Sequence, residues 1–160
     1  MTIWRDVLIE VDPGSQVLAQ SLADAFKVDI GKVDIGKVAV VTGGPERWPT
    51  KPPEIVADTQ PVCGESRLTV TLFVCREPAM VERMDDKVVV QALADRIGCT
   101  VLLPDDGDTS PFSFVRFRPR ATHDRVDLDP DGLDESPPHI TVLGILPSLD
   151  ETVAQATYGR

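Results

Sequence analysis

The sequence predicts a single α+β domain: a ferredoxin-like sandwich with two main helices on one face of a mostly antiparallel sheet, and extra strands toward the C-terminus. Three observations predict it. The 160 residues are 42% apolar and 26% charged, an ordinary globular composition, and this length suits one domain over residues 1–160. Apolar patterning switches between the strand and helix periods in the order strand, helix, strand, strand, helix, strand. The two helical segments also resemble each other: VLAQSLADAF (Val17 to Phe26) aligns with VVVQALADRI (Val88 to Ile97), sharing Val, Gln, Leu, Ala and Asp. That likeness fits a structural repeat, and it also fits the recurrence of a common helix-forming pattern.

The elements follow in order. RDVLIEV (Arg5 to Val11) is the first strand. Asp12-Pro13 reads as a helix cap followed by proline at the first helical position. The helix covers Ser15 to Phe26, with Val17, Leu18, Leu22, Ala25 and Phe26 along one side. VDIGKVDIGK (Val28 to Lys37) duplicates five residues in the following connection, where insertion is tolerated because closure entropy grows slowly with length. It reads as a neutral duplication. KVAVVT (Lys37 to Thr42) is a strand, and residues 43–66, with five prolines, predict a Pro-rich loop. RLTVTLFVC (Arg67 to Cys75) is the next strand. Asp85 caps a helix over Asp86 to Ile97 whose Val89, Val90, Leu93, Ala94 and Ile97 share a face. Cys99–Leu103 and Phe112–Phe117 form a hairpin around PDDGDTSP. HITVLGIL (His139 to Leu146) is a late strand, and Ser148-x-x-Glu151 signals a short final helix.

Charge excludes whole classes of function. With 26 acids against 16 bases the net charge is −10, the wrong sign for neutralising phosphates, so nucleic acid is not an expected partner. No apolar run approaches the roughly 20 residues of a membrane helix, and MTIWRDVLIE lacks the basic-then-apolar order of a signal peptide. A cytoplasmic protein away from the membrane is expected. Cys63, Cys75 and Cys99 form no Cys-x-x-Cys pair and read as reduced, partly buried thiols. The acids are unevenly placed. The acidic segment 121–138 holds Asp124, Asp127, Asp129, Asp131, Asp134 and Glu135 against one base, Arg125. The hairpin loop adds Asp105, Asp106 and Asp108.

Four motifs bear on chemistry. KVAVVTGG resembles the opening strand and glycine turn of short-chain dehydrogenases, whose glycines let the backbone approach a cofactor's phosphates. Here Arg47 and Pro49 stand where small residues are needed, and prolines replace the helix, so no nucleotide site is expected. FSFVRF (Phe112 to Phe117) resembles the base-stacking strand of RNA-recognition domains. Ser110 and Pro111 replace that motif's basic residue and glycine, so it reads as a half-buried strand, with Val115 and Phe117 inward and Arg116 and Arg118 outward toward the acidic loops.

DLDPDGLDE (Asp127 to Glu135) resembles the calcium loop of EF-hands. The resemblance implies side-chain oxygens from Asp127, Asp129 and Asp131, a carbonyl from Leu133 and a sharp turn at Gly132. Pro138 stands at the closing glutamate, however, and Asp129-Pro130-Asp131-Gly132 is a turn signal by itself. The segment reads as an acidic turn, and no metal or cofactor is expected. His123 and His139, with Asp124, would make a transition-metal set only if the segment brought them together.

Two functions follow as expectations. The first is a non-enzymatic binding protein whose acidic surface captures a basic protein partner through Asp105, Asp106, Asp108, Asp124, Asp127, Asp129, Asp131, Asp134 and Glu135. In size and charge the chain resembles bacterial immunity proteins and nuclease inhibitors. The alternative is an enzyme or small-ligand domain with its site under the 43–66 segment, where Trp48, the prolines and Glu54 would form a lid.

Overall fold

The computed structural model describes residues 2–31, 33–51 and 53–146. In its first half the chain runs β1 (Thr2–Ile9), α1 (Ser15–Ile30), β2 (Val38–Thr42), β3 (Ile55–Pro61), β4 (Cys63–Gly64) and β5 (Leu68–Val74). It continues through α2 (Pro78–Glu82), α3 (Asp86–Ile97), β6 (Val101–Pro104), β7 (Ser113–Phe117) and β8 (Asp124–Leu128). The last described elements are α4 (Pro130–Leu133), β9 (His139–Ile140) and β10 (Val142–Leu146).

Eight strands form one sheet in the order β10-β8-β7-β6-β1-β5-β3-β2, while β4 and β9 pair separately. Within the large sheet every pairing is antiparallel except β2 with β3. The architecture is therefore α+β, with a mostly antiparallel sheet. No helix among the described residues is long and apolar enough to cross a membrane.

β1 is apolar on both faces because both faces of the sheet are covered at its position. Trp4, Val7 and Ile9 face the helices, and Leu8 joins a second core behind. A register shift between Ile3 and Arg5 lets Trp4 share a face with Val7 despite their odd spacing. α1 and α3 lie side by side on the first face, where Phe26 packs on Trp4 with ring centroids 4.9 Å apart. Burying a side chain as large as Phe26 contributes about 2 kcal/mol. The second core, with Leu102, Phe114, Val126, Leu128 and Ile140, lies over the C-terminal strands. β9 supplies Ile140 to it, and α4 packs Leu133 against it.

α3 matches its expected bounds, and Asp85 caps it by accepting the Val88 N–H at 3.3 Å. Five expectations are corrected. Asp12 does not cap α1: its carboxylate accepts the Gly14 N–H at 2.9 Å, and the helix starts at Ser15. Val17 is exposed, one residue off the stripe of Leu18, Leu22, Ala25 and Phe26.

The stretch 43–66 is not one loop, since β3 and β4 lie within it. Ile55, Val56 and Ala57 are wholly buried because β3 sits between β2 and β5, and the prolines fall around or at the end of that strand, where no ladder donor is lost. Nor does the duplication lie wholly in a connection. Val28–Ile30 of the first VDIGK complete α1, whereas Val33 of the second is buried in the core. The acidic segment likewise contains an unexpected strand, β8. The expected helix at Ser148–Glu151 lies outside the described residues.

Candidate functional site

The structure divides the nine acids expected to meet a partner into two groups. Arg125 on β8 stands opposite Val115 and reaches over to the β6–β7 hairpin loop. Its Nε donates to Asp105 Oδ2 at 2.6 Å and its Nη2 to Asp108 Oδ2. Both carboxylates also accept loop amides, Asp105 from Gly107 at 3.1 Å and Asp108 from Ser110 at 3.0 Å, the geometry by which aspartate holds a turn. Asp108 lies below the usual carboxylate range, chiefly through the Ser110 amide and with help from Ser113 and Arg125.

One register step away, Arg116 faces Asp124 across the β7–β8 ladder and donates from Nε and Nη2 at 2.9 and 2.6 Å. This bidentate fork holds the Asp124 carboxyl below, and the Arg116 guanidinium above, its ordinary range. Arg118 adds a looser contact to Asp124 at 3.6 Å. Asp106 lies 3.4 Å from Arg5. All four acids of this group therefore sit beside a guanidinium of the same chain.

The second group, Asp127, Asp129, Asp131, Asp134 and Glu135, forms no ion pair among the described residues. Asp127 is a ladder residue opposite Ser113 and Gly144, on the face away from the buried Val126 and Leu128. The other four gather around α4. Asp129 caps that single turn through a 3.1 Å bond from the Asp131 N–H, and Asp131, Asp134 and Glu135 are exposed.

The frame beneath them is knit by backbone. The Asp129 N–H bonds the Thr141 carbonyl at 2.9 Å, the Cys63 N–H bonds Pro138 at 2.9 Å, and the Glu65 N–H bonds Ile140 at 2.8 Å. Gly132 is required by this packing. A Cβ there would stand 2.3 Å from the His139 carbonyl oxygen, so the glycine of the Asp-x-Asp-x-Asp-Gly motif serves a close backbone approach. Asp127, Asp129 and Asp131 do not converge. No group of three or more His, Cys, Asp or Glu side chains able to hold a metal ion is formed among the described residues.

The remaining sequence candidates fall elsewhere. Val115 and Phe117 are inward in the first core. His123 packs on Phe117 with ring centroids 5.3 Å apart, while His139 sits on β9 opposite Cys63. Trp48 lies edge-on against Phe73 at 4.7 Å, and Glu54 stands between Lys37 and Arg76, 3.5 Å from each. Cys99 is buried, which pushes its thiol pKa up and away from nucleophilic use.

Sequence reasoning missed a cleft of about 340 Å³ lined by Glu10, Glu65, Ser66, Arg116 and Arg118 among others. Glu10 and Glu65 there accept the Thr100 and Val142 amides at 2.9 and 2.6 Å. Its residues come from five separate segments, and no local pattern marks them. The chain matches no protein-family model, no curated protein and no solved structure.

Proposed function

We propose that the protein is a non-enzymatic binding protein that presents the acids around α4 to a basic protein partner. One observation carries this reading. Asp129, Asp131, Asp134 and Glu135 have no cation of their own among the described residues, although acids nearby are neutralised by Arg116 and Arg125. Their turn is tied down by the bond from the Asp129 N–H to the Thr141 carbonyl and by the close approach of Gly132 to His139, so little ordering would be lost on binding. Unscreened charge on a firm frame suits rapid, salt-sensitive capture of a Lys/Arg-rich surface. Asp127 and Asp106 would extend the field at its margins, while Asp105, Asp108 and Asp124 act mainly within the fold.

A cytoplasmic setting goes with this reading, supported by three free thiols. We also read β6-β1-β5-β3 with α1 and α3 as a ferredoxin-like core. The antiparallel order of those four strands supports it, β2 being an addition at one edge and β7, β8 and β10 at the other.

The test is a pull-down from native lysate at low and high salt, using the parent and a triple variant (Asp131→Asn, Asp134→Asn, Glu135→Gln). A stoichiometric basic partner should be held by the parent at low salt, released by high salt and lost by the variant. Recovery of none at either salt would sink the proposal.

A further inference from the structure

Away from the acidic surface, the end of α1 meets α2 over a cavity of about 300 Å³ lined by Asp29, Ile30, Arg76, Met80, Arg83 and Met84. Its charge is reversed relative to the chain, with two guanidiniums and one carboxylate where acids outnumber bases overall. The carboxylate is partly engaged, because Asp29 Oδ2 accepts the Asp85 N–H at 2.9 Å. The guanidiniums are less fully engaged. Arg83 makes no side-chain hydrogen bond or ion pair among the described residues. Arg76 lies 3.5 Å from Glu54, a carboxylate it shares with Lys37. The Arg76 Nε is buried without an acceptor, and so is the facing Glu54 Oε2 without a donor. A buried donor left unpaired is unfavourable, and the described residues leave this arginine incompletely satisfied.

We propose that this cavity binds a small organic carboxylate with an apolar body. Arginine's planar fork matches a carboxylate in two-point geometry, and Arg76 and Arg83 both line this space, Arg83 with no side-chain partner of its own among the described residues. Ile30, Met80 and Met84 supply the apolar wall. Methionine conforms to irregular apolar shapes, and Met80 is 49% exposed, as expected of a wall that a ligand would cover. The volume is at the lower end for small-molecule sites, which favours a short chain or a single ring. The first VDIGK copy builds one side, since Asp29 and Ile30 belong to it.

Titration of the full chain with hexanoate, followed by amide NMR shifts, tests the proposal, with hexylammonium and inorganic phosphate as the comparison probes. Hexanoate should shift the amides of Ile30, Met80, Arg83 and Met84 with saturating behaviour, and Arg83→Gln should weaken it about tenfold. Arg83 is exposed, so this variant should keep the parent's melting temperature; Arg76→Gln, which also disturbs Glu54, serves as the second variant. Three outcomes would overturn the proposal: no saturable shift at millimolar hexanoate, equal binding of hexylammonium, or hexanoate binding indifferent to both substitutions. Inorganic phosphate binding as tightly as hexanoate would also overturn it, by showing a bare anion site with no part for the methionines.

Discussion

The β6–β7 hairpin loop and the turn around α4 are both rich in aspartate, yet they use it in opposite ways. In the hairpin, Asp105 is only 9% exposed at its side chain and Arg125 14%; their charge is consumed in holding the loop against β8. Around α4, Asp131, Asp134 and Glu135 are exposed and meet no cation among the described residues. Formal charge counts both regions equally. What a partner would feel depends on which arginines have already answered which carboxylates, and register decides that: Arg125 and Arg116 stand opposite Val115 and Asp124 only because β7 and β8 pair as they do.

The sharpest way to break this comparison is to remove the hairpin's cation. Arg125→Met leaves the largely covered Asp105 carboxylate without its guanidinium, which should cost about 2–3 kcal/mol. Denaturant unfolding measures it. A loss below about 0.5 kcal/mol, the ordinary surface value, would mean that the hairpin acids are as free as those around α4.

The next largest effect disturbs the frame of the second region without touching a charge. In Gly132→Ala the new Cβ meets the His139 carbonyl, a backbone atom that cannot swing aside, and overpacking of this kind costs about 2 kcal/mol. Hydrogen exchange at Asp129, whose amide bonds the Thr141 carbonyl, and at Val142 should quicken while exchange in α3 does not. Unchanged exchange there would show that α4 is not pinned to β9.

These contrasts also mark what the sequence made legible. α3 was legible because its signals are local: Asp85 and the buried stripe mark it without reference to the rest of the chain, whereas α1 starts without the expected Asp12 cap and runs past Phe26 to Ile30. β3 was obscured by its flanking prolines, and β8 by its acids, since DRVDL carries only Val126 and Leu128 as buried residues. The two VDIGK copies set the limit of local reading. Identical residues end a helix in one place and bury a valine beside a 3-10 turn in the other, because tertiary packing and not propensity decides such short pieces. For the candidate site, the acids themselves were legible in composition. Their division was not, because it depends on cross-strand partners that no local spacing reveals.

A smaller effect distinguishes the two regions by pH. The Asp124 pKa is depressed in the folded chain by the hydrogen bonds from Arg116. Its pair therefore contributes full stability above the ordinary aspartate pKa of about 4 and loses it as pH falls through the lower folded value. Asp124→Asn should cost about 1 kcal/mol near neutrality, and the gap between parent and variant should close in acid. The same substitution at Asp134, which is exposed and meets no cation among the described residues, should shift stability near neutrality by less than about 0.5 kcal/mol. Parallel acid-denaturation profiles for parent and Asp124→Asn would remove the Arg116 pair from the account.

The smallest expected effect concerns the calcium-like motif itself. Asp129→Asn with Asp131→Asn keeps the cap of α4, because asparagine retains the oxygen that accepts the Asp131 amide and caps about as well as aspartate. Asp131 is exposed and meets no cation among the described residues, so the pair should shift stability by less than about 0.5 kcal/mol. A calcium loop would behave differently: millimolar calcium would raise the parent's melting temperature and not the variant's, since a ligand stabilises only the state that binds it. We expect no calcium-dependent shift in either, because Asp127 is committed to the β8 ladder and Asp129 to a cap. A shift that the double variant abolishes would mean that the three aspartates can be drawn together after all. The close approach of Gly132 to His139 would then have to open, and the firm acidic frame proposed to meet a partner would not exist.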